Sequence, residues 1–222
     1  MAKQKTSANL ITLSEPHSAV SEAYRTLRTN LEFTALNGEL NSLVVTTPAA
    51  GEGKSTTLAN LAVTMAQGGR SVILVDADLR RPAQHKIFGS LNEHGVSNTL
   101  LDETLIANPP LVESGVPGLR LLPAGPKPPN PAELLASPHM VQLIDSLRNK
   151  ADVILFDAPP VVPVTDAAIL GTRTDGLLLV LQAGKTKREH AVRARALLEQ
   201  VGVRIVGTVL TNARVDSNLG GY

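Results

Sequence analysis

The densest chemical signal in the chain is the run Thr47-Pro48-Ala49-Ala50-Gly51-Glu52-Gly53-Lys54-Ser55-Thr56. Glycines let backbone N–H groups close around an anion, and a helix that starts at such a loop adds the positive end of its dipole. Lys54 supplies an ammonium for terminal phosphates, and the Ser55 hydroxyl beside it can ligate magnesium. The spacing fits G-x-x-x-x-G-K-[ST] except at the first glycine, where Pro48 stands. Two acidic runs complete the signal. VILVDADLRRP and VILFDAPP put Asp76, Asp78 and Asp157 just beyond two apolar, β-branched stretches. A single Asp there commonly caps a turn. Three of them on two strands, beside a phosphate loop on a third, point to a charged site at one sheet edge, where open α/β sheets bind ligands. Carboxylates at that edge hold a divalent cation directly or through its waters.

The surrounding pattern must supply that edge. From Ser18, a suitable N-cap, apolar residues recur at helical spacing to Leu36. A strand is expected over NSLVVTTP, a helix from Lys54 to about Gln67 ending at Gly68-Gly69, and a strand at 71–76. Further strands are expected at 119–123, 152–157, 176–183 and 204–210, with helices at 138–149, 165–172 and 187–201. The strands read as continuous apolar runs, which suits a parallel sheet covered on both faces. The fold class is therefore α/β: a three-layer sandwich with a mostly parallel central sheet. Residues 1–17 read as a loose N-terminal arm, 18–215 as one domain, and 216–222 as a flexible tail. The Pro-rich stretch 125–135 reads as a rigid loop before the next helix.

Composition narrows the function. The 222 residues are 43% hydrophobic and 18% charged, a globular balance. A net charge of +1 lacks the basic excess of a nucleic-acid binder, and no nucleic-acid partner is expected. The absence of cysteine removes thiolate catalysis, disulfides and cysteine-ligated zinc, and fits a reducing compartment. His17, His85, His94, His139 and His190 are scattered without metal-ligand spacing. No apolar run approaches the roughly 20 residues of a membrane span, and MAKQKTSANLITL lacks the apolar core of a signal peptide.

Together the motifs resemble Walker A, A′ and B of the bacterial tyrosine kinases (BY-kinases), a branch of the MinD/ParA-like P-loop ATPases. The A′ run ending Asp76-Ala77-Asp78-Leu79-Arg80 carries the likeness most strongly. SEAYRTLRTNL at 21–31, PPNPAELL at 128–135 and DAPPVVPVTDA at 157–167 extend it over roughly residues 14–215. The signature lysine of many MinD/ParA proteins is replaced by Ala49, a departure that favours the kinase branch.

The resemblance implies ATP and Mg²⁺ as ligands. Gly51, Glu52, Gly53, Lys54, Ser55 and Thr56 would cradle the phosphates, with Lys54 on the β/γ-phosphates and Ser55 on the metal. Asp157 would act on Mg²⁺ through water. Asp76 would be the base and Asp78 its metal-side companion, an order the sequence leaves open; the alternative is that both bind the Mg²⁺ hydration shell and neither accepts a proton. Asn212 is expected to read the adenine or simply to turn the chain, and Arg214 to stack on the base. Arg80 and Arg81 are expected to contact phosphate or an acidic substrate, or to carry solvated charge. Glu22, Arg25 and Arg28 share one helix face, which on composition alone reads as a solvated face with an intrahelical Glu–Arg pair; E-x-x-R-x-x-R there is similar to the family motif that joins subunits head to tail into a ring.

The chain ends SNLGGY, where the family generally has a tyrosine cluster. Three readings follow: a truncated cluster, Tyr222 as the sole autophosphorylation site, or another protein as substrate. Tyr24, the other tyrosine, is expected to pack or to lie at the subunit contact. The implied function is a tyrosine kinase acting on protein tyrosines and controlling capsule or exopolysaccharide synthesis and export. It implies a membrane adaptor of the polysaccharide co-polymerase type, and a cytoplasmic location peripheral to the inner membrane. The alternative is a MinD/ParA-like ATPase that switches assembly states and hydrolyses ATP with water.

Overall fold

The computed structural model describes residues 10–35 and 40–213. Seven strands form one sheet in the order β3-β4-β2-β5-β1-β6-β7. In chain order these are β1 (Ser42–Thr46), β2 (Val72–Asp76), β3 (Val112–Glu113), β4 (Leu119–Leu122), β5 (Val153–Asp157), β6 (Gly176–Gln182) and β7 (Ile205–Thr211). All neighbours pair in parallel except the short β3, which runs antiparallel to β4. The C-terminal ends of the six parallel strands thus share one edge, and the phosphate loop and all three acidic residues lie along it.

Alternate strand residues face opposite layers, as the pleat requires. Leu43, Val45, Leu74 and Leu155 point to one core with α1 (Ile11–Ser14), α2 (Ala19–Ala35), α3 (Lys54–Gln67) and α4 (Gln84–Phe88). Val44, Ile73, Ile154 and Phe156 point to the other. That core is covered by α5 (Val96–Leu101), α6 (Pro131–Ala136), α7 (Pro138–Arg148), α8 (Asp166–Gly171) and α9 (Arg188–Gln200). Burial on both faces explains why β2 and β5 are uniformly apolar up to their last residues, and β1 is apolar between Ser42 and Thr46.

Two sequence expectations need correction. The described part of the 1–17 arm is not loose: Leu10 and Thr12 are buried, and Thr12 bonds the Asn60 side chain of α3 through both its N–H and its hydroxyl, at 3.2 and 2.9 Å. The docking combines a short apolar contact, Leu10 in the core with Leu13 packed against it, with the Thr12–Asn60 hydrogen bonds, too brief a segment to show a period. The 125–135 segment is not wholly loop either. Pro131 opens α6 at its first turn, where a missing N–H costs nothing, and Leu135 is buried beneath.

Candidate nucleotide-binding and phosphoryl-transfer site

The loop between β1 and α3 wraps a cleft of about 240 Å³ lined by residues 50–56 together with Asp78, Arg81 and Pro160. Gly51 and Gly53 adopt φ of 78° and 84°, a region that side chains enter only with strain. The backbone turns there so that α3 begins at Lys54, its N-terminus facing the cleft. Glu52 is buried inside the loop. It accepts from the Thr47 hydroxyl, and from the Thr186 hydroxyl at 2.7 Å, so the β6–α9 turn braces the loop. Pro48, at the position of the missing glycine, is buried.

Asp76 and Asp157 are the last residues of β2 and β5 and are paired directly across the sheet. Both are wholly buried, and Asp78 is 5% exposed. Lys54 reaches into this acidic group. Its ammonium bonds Asp157 Oδ1, lies 3.5 Å from Asp78 Oδ2, and is 3.3 Å from the Ser55 hydroxyl. Burial disfavours the charged ammonium, but Asp157, Asp78 and Asp76 outweigh it and hold the Lys54 pKa above its ordinary value. Asp76 is pushed the other way from a normal carboxyl. Burial first, then the Asp157 charge, raise it from 3.8 to about 8, against N–H bonds from Gln84 and Ala83 and the pull of Lys54. Burial also raises Asp78, against Lys54 and the Arg81 N–H.

Gln84 ties the three motifs together, a role its sequence position did not signal. Its backbone N–H and that of Ala83 donate to Asp76 Oδ2 at 2.8 and 3.0 Å. Its side-chain Nε2 donates to Asp157 Oδ2 at 2.7 Å and to the Ser55 carbonyl at 3.1 Å. Asp76 Oδ1 and Gln84 Oε1, both buried, have no partner among the described residues. Asp166 was also missed. It is wholly buried and accepts both Nε and an Nη of Arg80 at 2.9 Å, which fixes the A′ segment to α8. Arg80 is therefore committed within the chain, whereas Arg81 is exposed at the cleft.

The donor set fits a magnesium–nucleotide. The loop offers phosphate its N–H groups and Lys54, and the unpartnered acceptors fit a hydrated hard cation. No three Asp, Glu or His side chains among the described residues form a ready-made metal cage. Magnesium suits that arrangement, because it keeps several waters and takes few protein ligands beside substrate phosphates.

The remaining expected residues are less concentrated. Asn212 is exposed, turns in the left-handed region at φ 54°, and follows Thr211, whose hydroxyl donates to the Glu52 carbonyl at 3.3 Å. The end of β7 therefore abuts the phosphate loop. Glu22, Arg25 and Arg28 lie along α2, away from the cleft. Arg25 pairs with Glu22 and donates to the Pro16 carbonyl at 2.6 Å, and Arg28 donates to the Thr64 carbonyl of α3 at 2.9 Å. Tyr24 packs on α3; burial raises its pKa, opposed by hydrogen bonds with Thr57 and Asn60. Arg214, Tyr222 and the tail 216–222 lie outside the described residues.

The fold and loop define a P-loop nucleotide-binding domain, and residues 43–219 match the family described as CobQ/CobB/MinD/ParA nucleotide binding domain. The tyrosine-protein kinase YwqD of Bacillus subtilis is 40% identical over 210 residues, covering 95% of this chain and 88% of that protein. The tyrosine-protein kinase CpsD of Streptococcus agalactiae is 34% identical over 202 residues, covering 90% of this chain and 86% of that protein. The kinase domain of the Escherichia coli tyrosine kinase ETK superposes with a TM-score of 0.87 at 32% identity, covering 96% of this chain and 83% of that one. The chain belongs to the bacterial tyrosine-kinase family within these P-loop proteins. No helix among the described residues is long and apolar enough to cross a membrane.

Proposed function

We propose that this protein transfers the γ-phosphoryl group of ATP to protein tyrosines, Tyr222 of its own tail among them. The observation that carries the reading is the convergence of Lys54, Asp76, Asp78 and Asp157 beside the phosphate loop, at one sheet edge. ATP phosphates compete with Asp157 and Asp78 for Lys54, and the N–H groups of residues 51–56 hold them in place. Ser55, Asp78 and Asp157 are the groups that hold magnesium. Bound there, magnesium supplies positive charge that offsets the phosphates and lowers the pKa of adjoining carboxylates. Asn212 and Arg214 receive the adenine at the end of β7.

A tyrosine hydroxyl, with an ordinary pKa of about 10, gains from a base at hydrogen-bond distance. Asp76 fills that role, with Asp78 on the metal side. The new bond joins the tyrosine oxygen to the γ-phosphorus while the bond from that phosphorus to the β,γ-bridging oxygen breaks. The phenolic proton passes to the Asp76 carboxylate, and ADP leaves. Asp76 must enter this step ionised, which burial and the Asp157 charge oppose in the nucleotide-free protein, where its pKa is about 8; a magnesium ion held by Asp78 and Asp157 would lower it.

Glu22, Arg25 and Arg28 join subunits head to tail into a ring by exchanging their present partners for a neighbour's, so that each tail reaches the next active site. A membrane adaptor of the polysaccharide co-polymerase type recruits the kinase from the cytoplasm to the inner membrane. The output is control of capsule or exopolysaccharide synthesis and export. To test the reaction, the protein is incubated with Mg-ATP and a tyrosine peptide, with and without an adaptor segment, and phosphotyrosine and ADP are quantified together. Phosphotyrosine formed with ADP supports the kinase. ADP without phosphotyrosine under either condition replaces it with a nucleotide-switched ATPase.

A further inference from the structure

We propose that Gln84 is a positioning residue of the magnesium site, setting the distance between the Walker A serine, the A′ carboxylate and the Walker B carboxylate. The proposal rests on the reading of Ser55 and Asp157 as metal-side groups. Residue 84 lies outside the three motifs and bonds all of them: Asp76 through its backbone N–H, and Asp157 and the Ser55 carbonyl through its amide. The orientation of that amide follows from its neighbours. A carboxylate and a carbonyl can only accept, so Nε2 faces them and Oε1 points elsewhere.

An amide suits this place for a physical reason. The surrounding group already holds Asp76, Asp78 and Asp157 against one lysine. A further carboxylate would repel Asp157, and a second ammonium would compete with a cation. An amide restrains two acceptors without changing the charge. Its oxygen is the informative end. Gln84 is wholly buried, yet Oε1 has no partner among the described residues, and neither does Asp76 Oδ1 in the same group. A buried acceptor left unsatisfied is unfavourable, so Gln84 Oε1 is expected to be met by a donor from outside the described residues. Water held by a cation presents hydrogens outward and is that kind of donor. Groups behind metal ligands of this sort typically change metal affinity about 10- to 100-fold when replaced.

The test is titration of a fluorescent ADP analogue into the full chain, with and without Mg²⁺, for wild type, Gln84→Met and Gln84→Glu. Methionine keeps the length and removes donor and acceptor; glutamate keeps the shape and turns the donor against Asp157. Both variants are expected to bind Mg-free nucleotide within about twofold of wild type, because Lys54 and the phosphate-facing N–H groups of the loop are kept and only a bond to the Ser55 carbonyl is lost. The Mg²⁺ concentration that half-restores tight binding should rise about 10- to 100-fold. Melting temperature is read alongside. Equal weakening of Mg-free and Mg-bound nucleotide would reduce Gln84 to a packing residue and overturn the proposal, as would an unchanged Mg²⁺ requirement. A wild type whose affinity ignores Mg²⁺ would overturn the metal-site reading itself, a result distinguishable from failure of the Gln84 role alone.

Discussion

Replacing Asp76 with asparagine should stabilise the nucleotide-free protein, and more strongly as the pH rises. The side chain is wholly buried and sits beside Asp157, and its pKa rises from 3.8 to about 8. The folded state therefore keeps a proton that the unfolded chain releases. The stability tied to this proton is fully present below the unfolded value and is lost as pH climbs toward the folded one. The window runs from about pH 4 to about pH 8, with each unit worth about 1.4 kcal/mol. On that slope the wild type lies about 4 kcal/mol below a neutral isostere at pH 7, and about 2 kcal/mol below it at pH 5. Asparagine keeps a carbonyl oxygen for the N–H groups of Ala83 and Gln84 and carries no charge. Its advantage should widen by about 2–3 kcal/mol between those two pH values, or roughly 5–10 °C in melting temperature for a domain of this size. Thermal and urea denaturation without nucleotide or Mg²⁺ measure this. A pH-independent difference, or a variant less stable than wild type at pH 7, would refute the placement of Asp76 as a strained, proton-holding carboxyl.

Lys54→Met removes the ammonium from a group of three carboxyls and leaves Asp157 buried without its ion-pair partner. It should cost about 3 kcal/mol in urea denaturation and abolish nucleotide binding in the same fluorescent titration. Arg80→Met should destabilise by about 3 kcal/mol, because Asp166 stays buried and loses a bidentate partner. In a double-mutant cycle with Asp166→Asn, the coupling should be about 1–3 kcal/mol; additive losses would mean the pair contributes nothing as a pair.

Much of the site was legible because local rules coincide there. The bounds of α3 follow from a glycine-lysine start and a Gly68-Gly69 stop, and match the expected helix. The buried strands are continuous apolar runs, and Asp76 and Asp157 close two of them, so their place at the edge follows from strand length alone. Ser18 caps as expected, its hydroxyl accepting from the Ser21 N–H at 3.2 Å. What stayed hidden depends on contacts between distant positions. Gln84 meets Asp157 across 73 residues and Arg80 meets Asp166 across 86, and no local pattern marks either pair. Arg80 read as solvated charge or a phosphate contact because its fixed partner sits on another element. Residues 10–17 read as loose because their anchors, Leu10 and Leu13 in the core and Thr12 on Asn60, meet partners distant in sequence. The two-residue β3 and the short α4 and α5 are too brief to show a period.

The central claim is tested most directly by intact-mass spectrometry with site mapping after incubation of the full chain with Mg-ATP, alongside Asp76→Asn and Tyr222→Phe. Wild type is expected to carry a phosphate on Tyr222 that both substitutions abolish. Phosphotyrosine that survives Asp76→Asn at wild-type rate would contradict the assignment of the base. Steady ADP production with every tyrosine unmodified would contradict the kinase reading as a whole.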